Sequence, residues 1–399
     1  MRAQAVIGAS YGDEGKGRTV DWLAASLGPE VVVVRSNGGA QAGHTVETGG
    51  QRHVFHHIGS AALRGAATHL SRFMVSHPIL LAEECAALGA MGLAPRITAD
   101  PRGWVTTPWD MMVNQAAELA RGKGRHGSCG LGFGETVGRC EQTAFALTVA
   151  DLWSADLRGK LHAIRSAWLG ARAAELGLDP HDGPLEHASA DGVLERFLDQ
   201  CAAFRSRVEL SGDAALGRQG PVIFEAAQGL LLDQGAEGFP FVTRSSTGLA
   251  NIAAIAGEAG ISALEVTYAT RCYLTRHGRG PMEDERAIDG WFVVEDATNH
   301  ANPWQETLRF GLLCPERLGE RIAADLGLGR GLGGELAITA SLALTCLDQA
   351  RGGCLAWLER GAVVTGDADA LAAKLVEAAG LPLAVQFASP NNDFTTQYR

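Results

Sequence analysis

Ala5-Val6-Ile7-Gly8-Ala9-Ser10-Tyr11-Gly12-Asp13-Glu14-Gly15-Lys16-Gly17 is the stretch whose reading decides the fold. A short apolar strand runs straight into a glycine-rich turn that carries an acid pair and a lysine. Such a turn between strand and helix frees backbone N–H groups to face phosphate oxygens, and the helix N-terminus adds partial positive charge. The lysine supplies a point charge for the same phosphates. A second apolar run, Val31 to Val34, opens into Gly38-Gly39-Ala40-Gln41-Ala42-Gly43-His44-Thr45. An acid and a histidine beside such a loop point to phosphoryl transfer more than to binding alone.

The loop departs from the Walker A pattern, which needs Gly, four residues, then Gly-Lys-Ser/Thr. Here Ser10 stands five residues before Gly15, and Gly17 follows Lys16, so no hydroxyl after the lysine is available for Mg²⁺. Asp13 is the replacement ligand to expect. That departure also disfavours a P-loop kinase or a GTPase switch. Tight strand–helix packing selects glycine too, and Asp13 could serve as a plain helix N-cap.

The 399 residues are 46% hydrophobic and 20% charged, which suits a soluble enzyme. A net charge of −11 argues against a nucleic-acid surface. No apolar run approaches the roughly 20 residues of a membrane span, and the N-terminus enters a strand without a signal peptide, so a cytoplasmic protein is expected. The eight cysteines are scattered with no C-x-x-C pair, which reads as buried thiols and not as a zinc site.

Apolar strand-like runs recur at Ala5–Gly8, Val31–Val34, Val222–Phe224, Val266–Tyr268, Leu342–Leu347 and Leu383–Phe387. Helical patterns lie between them, at Ile79–Leu88, Pro108–Arg121, Ala155–Leu176 and Leu194–Val208, with surface loops expected at 177–192 and 209–220. Alternation of this kind implies an α/β fold with a P-loop-like, central, mostly parallel sheet and helices on both faces. Ligands of such sheets gather at the carboxyl ends of the strands, where the first glycine loop sits. One domain over residues 1–399 is the expectation.

Gly12-Asp13-Glu14-Gly15-Lys16-Gly17 together with Ala42-Gly43-His44-Thr45 resembles the adenylosuccinate synthetase family. Members use GTP to phosphorylate O6 of IMP, and aspartate then displaces the phosphate. The resemblance implies GTP as co-substrate, Mg²⁺, a purine nucleotide, a small amine such as L-aspartate, and a homodimer. It implies that Asp13 removes the purine N1 proton and binds Mg²⁺, with the carbonyl of Gly43 as a second ligand. It gives His44 the support of phosphoryl transfer, Lys16 the phosphates, and Gly12, Glu14, Gly15 and Gly17 the nucleotide loop.

The resemblance continues at intervals. Gly127-Ser128-Cys129-Gly130-Leu131-Gly132-Phe133-Gly134 is similar to the family's Gly-Thr-Thr-Gly-Arg-Gly-Ile-Gly-Pro loop for the IMP phosphate. Ser128 keeps a hydroxyl, Cys129 is a weaker donor, and Leu131 replaces an arginine. Arg139 is the candidate for the arginine that reaches this phosphate across the dimer. Glu225-Ala226-Ala227-Gln228-Gly229 supplies Gln228 as a nucleotide contact with a catalytic part; Thr243 of Phe239-Pro240-Phe241-Val242-Thr243 and Arg276 of Thr275-Arg276-His277-Gly278-Arg279-Gly280-Pro281 position the acceptor. Thr345-Cys346-Leu347-Asp348 resembles the family's Thr-Lys-Leu-Asp, whose aspartate accepts from guanine N1 and N2. ATP would leave that carboxylate unpaired. Ser389 resembles part of the guanine loop.

One departure stands out. The family holds the carboxylates of aspartate with Ala-Thr-Thr-Gly-Arg-Arg-Arg-Arg-Thr-Gly, whereas residues 296–311 keep only Arg309 of the cluster. A dicarboxylate calls for guanidinium forks. Thr298, Asn299, Gln305 and Arg309 are the amine-binding candidates, and Asn299, His300, Asn302, Trp304 and Gln305 would suit a neutral or less acidic amine. A helix start with a Pro-Trp entry is the bland alternative for this segment. A specialised paralogue with another amine or a modified purine therefore stands beside the ordinary reaction, and a non-catalytic nucleotide-binding regulator is the third possibility. Joint retention of Asp13, Lys16 and His44 weighs against the regulator.

Overall fold

The computed structural model describes residues 1–294, 304, 307–389 and 396–397. Its frame is a ten-stranded sheet in the order Thr396–Gln397, Leu383–Gln386, Ala337–Thr345, Ala263–Arg271, Arg2–Gly8, Val222–Glu225, Val32–Arg35, Ala67–Leu70, Ile97–Ala99, Val208–Leu210. Every neighbouring pair is parallel except the first, where Thr396–Gln397 runs antiparallel. All six expected strands are present, and the mostly parallel α/β sheet is as expected. The short strands Ala67–Leu70, Ile97–Ala99 and Val208–Leu210 extend it on one side.

The period-two geometry of a strand explains how both faces are covered. Ala5 and Ile7 face one side with Phe224, packing on Leu249, Ile252 and Ile255 of helix Leu249–Glu258 and on Leu318 and Ile322 of helix Pro315–Leu332. Val6, Val33 and Ile223 face the other side, against Val20, Leu23 and Ala24 of helix Lys16–Leu27. Each fully buried aliphatic side chain contributes about 1.5–3 kcal/mol. A third cluster gathers helices Pro108–Arg121 and Asp191–Arg205 around Trp109, Phe197 and Phe204.

Helix Pro108–Arg121 has the bounds expected of it. Thr107 and Asp110 form a capping box, with Pro108 in the first turn. The single helix expected over 155–176 is divided: Leu157–Ala163 and Leu169–Glu175 flank a π-helical turn, Ile164–Trp168. An inserted residue of that kind is invisible to a 3.6-residue pattern. The loop expected over 209–220 contains the end of strand Val208–Leu210 and a 3₁₀ turn, Asp213–Arg218. Among the described residues, no helix is long and apolar enough to cross a membrane.

Helix Pro78–Ala90 braces the hairpin His44–Thr48/Gln51–Phe55 through its buried Glu84, which accepts the N–H groups of His56 (2.9 Å) and His57 (2.7 Å). The His77 N–H donates to His57 Nε2 at 3.0 Å, so that ring nitrogen is unprotonated. Burial, aided by His57, pushes His77 down to about 3 from 6.5. A histidine held neutral in the fold takes up protons preferentially in the unfolded chain. Stability is therefore expected to fall as pH drops from about 6.5 toward 3, with a shallower decline in His77→Asn; thermal melts across that range measure it.

Candidate active site

The carboxyl ends of strands Arg2–Gly8, Val32–Arg35 and Val222–Glu225 converge on one cavity of about 390 Å³. Its walls include Gly12, Asp13, Lys16, Gly43, His44, Ser128, Cys129, Gln228 and Thr243. Nine candidates chosen from five separated sequence segments thus line one cavity.

The glycine loop is organised from within. Glu14 is 2% exposed and turns back under the loop, where Oε1 accepts the N–H groups of Ser10 (2.9 Å) and Gly12 (2.8 Å). Oε2 receives Lys16 Nζ at 3.0 Å. Those two N–H groups are therefore spent on a carboxylate, contrary to a reading in which the whole turn faces phosphate. Gly8 makes room for this carboxylate, since a Cβ there would lie 2.3 Å from Glu14 Oε2. Gly15 caps helix Lys16–Leu27 in the left-handed region (φ 77°), and no side chain accepts a capping bond, so Asp13 is not an N-cap.

Asp13 itself has φ 59°, unusual for a residue with a Cβ. Its Oδ2 lies 3.0 Å from His277 Nε2. Burial opposes ionisation, yet the His277 hydrogen bond and the charges of Arg271 and Lys16 hold the Asp13 carboxyl well below the usual carboxylate range. The acid is a carboxylate at neutral pH.

His44 heads its hairpin and is 6% exposed. Its Nδ1 lies 2.5 Å from Glu225 Oε1, and Arg35 Nη1 is 3.2 Å from Glu225 Oε2. Ser60 donates to the same carboxylate through its hydroxyl and its N–H. Glu225 is fully buried; burial would raise its pKa, but Arg35 and His44 bring it down to about 2. Burial, opposed by Glu225, pushes His44 down to about 4. Arg35 Nη1 also lies 2.9 Å from His44 Nδ1, so that nitrogen is held between the guanidinium and the Glu225 carboxylate.

Gln228 follows strand Val222–Glu225 with φ 58°, and its Oε1 is buried without a hydrogen-bond partner. Gln41 Nε2 is in the same condition on the cavity wall. One unsatisfied amide acceptor and one unsatisfied donor are groups that a polar ring edge could satisfy. Ser128 Oγ receives Asn114 Nδ2 at 2.9 Å, and Gly127 N–H donates to buried Glu118 at 2.8 Å, so helix Pro108–Arg121 sets this loop. Burial pushes the Cys129 thiol up to about 11, which keeps it neutral.

Other candidates lie off the cavity wall. Arg139 is 0% exposed: Nε and Nη2 each donate to Asp110 at 2.8 Å, Nη1 to Phe145 O and Nη2 to Val105 O. A reach to a phosphate across a dimer is replaced by a core ion pair that locks the capping-box helix. Arg139→Leu is expected to cost about 3–5 kcal/mol, read in denaturant unfolding, because it strands Asp110. Arg276 is likewise buried and donates to the carbonyls of Pro281, Phe241 and Arg279, so it shapes the loop and does not face the cavity. Arg309 is paired at both ends with Glu285 and also donates to Gly278 O and Gly280 O. Thr298, Asn299 and Gln305 lie outside the described residues.

Asp348 is exposed in the turn after strand Ala337–Thr345, and Ser389 follows the neighbouring strand Leu383–Gln386. Thr345 Oγ1 donates to Glu14 O at 3.2 Å, which ties this edge to the glycine loop. Among site residues that sequence reasoning missed are Gln41, Asn114, Glu118 and His277, together with Arg172 on the far wall, held by Glu135. Glu225 was visible in its motif but not as the partner of a histidine 181 residues away.

The donor set fits a magnesium ion. Asp13 and the carbonyl-bearing Gly43 line the same cavity, and no group of three or more His, Cys, Asp or Glu occurs among the described residues that could cage a metal alone. Mg²⁺ is usually held by one or two carboxylates plus substrate phosphates.

Residues 5–302 match the family model described as adenylosuccinate synthetase. Adenylosuccinate synthetase of Neisseria gonorrhoeae (strain ATCC 700825 / FA 1090) is 34% identical over 286 residues, which cover 70% of this chain and 64% of that protein. The Xylella fastidiosa (strain M12) synthetase is 34% identical over 300 residues, with the same coverage. The chain thus spans 64% of the length of these curated relatives. Among solved structures, the fully ligated Plasmodium falciparum adenylosuccinate synthetase superposes with a TM-score of 0.73 at 18% identity, covering 100% of both chains. The cyanophage S-2L succinoaminodeoxyadenylate synthetase, solved with dGMP and with dATP as an energy donor, gives 0.62 at 15%, covering 99% of this chain and 95% of that one. At those identities the two structures establish the fold.

Proposed function

The chain belongs to the adenylosuccinate synthetase family, and on that premise we propose that it is a GTP- and Mg²⁺-dependent ligase. It phosphorylates O6 of an IMP-like purine nucleotide and joins the activated ring to an amine. The observation that carries this reading is the meeting of Asp13, Lys16, His44 and Gln228 in the lining of one cavity, with Asp13 ionised and His44 Nδ1 held by Glu225 and Arg35. Binding alone would need neither of the last two features.

In this reading Asp13 accepts the ring N1 proton, which leaves O6 nucleophilic enough to attack the γ-phosphate. Gln228 holds the ring edge. Lys16, shared with Glu14, faces the phosphates. Negative charge on the phosphates favours a protonated His44, whose Nε2–H then meets the oxygens on which charge builds. Asp13 and the Gly43 carbonyl would hold Mg²⁺, which when bound offsets phosphate charge. Exposed Asp348 is the guanine acceptor, and Ser389 lies beside it. A single unit over residues 1–399, assembled as a cytoplasmic homodimer, completes the proposal.

L-aspartate is the reference amine. A second reading is favoured by one observation: Arg309, the only arginine left in the amine-binding segment, is neutralised by Glu285. An amine with fewer carboxylates than aspartate suits that arrangement. Phosphate release with GTP, Mg²⁺ and IMP, scanned over an amine panel, tests both. Turnover with aspartate supports the ordinary ligase; turnover confined to another amine supports the second reading. Silence throughout, with IMP and with other purine nucleotides, rejects both.

A further inference from the structure

We propose that His277 is a positioning residue for Asp13: its Nε2–H holds one carboxylate oxygen so that the other is presented to the acceptor. This rests on the functional reading above for its consequence, but not for its geometry. Asp13 occupies a backbone conformation that residues with a Cβ rarely adopt (φ 59°). Something must hold it there, and a single distant segment grips it twice. Arg271 Nε donates to the Asp13 carbonyl oxygen, and His277 Nε2 lies 3.0 Å from Asp13 Oδ2.

His277 is itself fixed by its surroundings. It directly follows strand Leu274–Arg276, which pairs antiparallel with Arg309–Gly311. Buried Arg276 closes the turn beneath it by donating to Pro281 O (2.6 Å) and Arg279 O (3.0 Å). Gly278 (φ 68°) packs directly on Gly127, where a Cβ would lie 2.7 Å from the opposing backbone, so the turn is also locked to the Ser128 loop. The imidazole lines the same cavity as Asp13 and Gln228. With Nε2 protonated, the ring donates whether neutral or cationic, so the role does not depend on its charge. A carboxylate held at one oxygen has lost most of its rotational freedom before substrate arrives.

Two variants and two measurements test this. Crystal structures of His277→Ala and His277→Gln need no substrate: in the first, the Asp13 carboxylate is expected to leave its place, and in the second, which keeps an N–H donor, to stay. In steady-state assays with IMP, GTP, Mg²⁺ and the working amine, His277→Ala is expected to lower kcat about 10- to 100-fold. KM for GTP should stay within about two-fold, and His277→Gln should recover to within about five-fold of wild type. An unmoved carboxylate in His277→Ala, an unchanged kcat, or failure of His277→Gln to rescue would overturn the proposal. A wild-type enzyme without turnover would sink the functional reading, while the crystal comparison would still decide the role of His277.

Discussion

Asp13→Asn is expected to lower turnover by about 10²- to 10⁴-fold while the protein folds and binds GTP. Asparagine has nearly the shape of aspartate and tolerates positive φ at least as well, so the backbone at φ 59° should survive the exchange. What disappears is the proton acceptor, and with it the anionic oxygen offered to Mg²⁺. The wild-type carboxyl is held ionised against burial by His277, Arg271 and Lys16, and an amide in its place cannot take a ring proton. Because Asp13 would also hold Mg²⁺, GTP binding is measured calorimetrically without Mg²⁺, and steady-state kinetics with GTP and IMP beside it separates the two effects. Loss of kcat with retained GTP affinity fits a base. Loss of GTP affinity alone would place Asp13 in nucleotide binding only.

His44→Asn is expected to cost about 10²- to 10³-fold in kcat, with KM for both nucleotides within a few-fold. The imidazole is the cavity-facing end of a buried chain in which Arg35 and Ser60 hold Glu225, and Glu225 holds Nδ1. That chain presents Nε2 to the site, where it acts on charge that is greater in the transition state than in bound substrate. An equal rise in KM without a fall in kcat would instead make His44 a binding residue. Glu225→Gln should reproduce part of the His44 loss, because a neutral amide holds Nδ1 less firmly than a carboxylate.

The fold was legible wherever the chain repeats its pattern. Strands Val32–Arg35 and Val222–Glu225 are buried on both faces, and their apolar runs, Val31–Val34 and Val222–Phe224, read as central parallel strands do. Helix Pro108–Arg121 was legible from its helical pattern, and the structure gives it the same bounds. The three-residue strands Ile97–Ala99 and Val208–Leu210 are too short to show any period, and the π-helical turn at Ile164–Trp168 breaks the one it interrupts.

The site divides the same way. Asp13, Lys16, His44 and Gln228 sit in local motifs, and the motifs met in one cavity. Roles that depend on partners distant in sequence were not legible. Arg139 carries the residue type expected of a phosphate ligand, but Asp110 lies 29 residues upstream and captures it in the core. Glu14 could not be read as the internal brace of its own loop, because that depends on Gly8 leaving space beneath it. The pairing of Arg309 with Glu285 likewise depends on an antiparallel bridge between Glu285 and Gly311.

The most direct test of the central proposal follows an oxygen atom. IMP labelled with oxygen-18 at O6 is incubated with GTP, Mg²⁺ and the amine that supports turnover, and the released phosphate is examined by phosphorus NMR. Transfer of the label into phosphate is expected, since O6 leaves with the phosphoryl group it attacked. Phosphate released without label would mean that water, and not the purine, takes the γ-phosphate, and would contradict activation of the ring at O6.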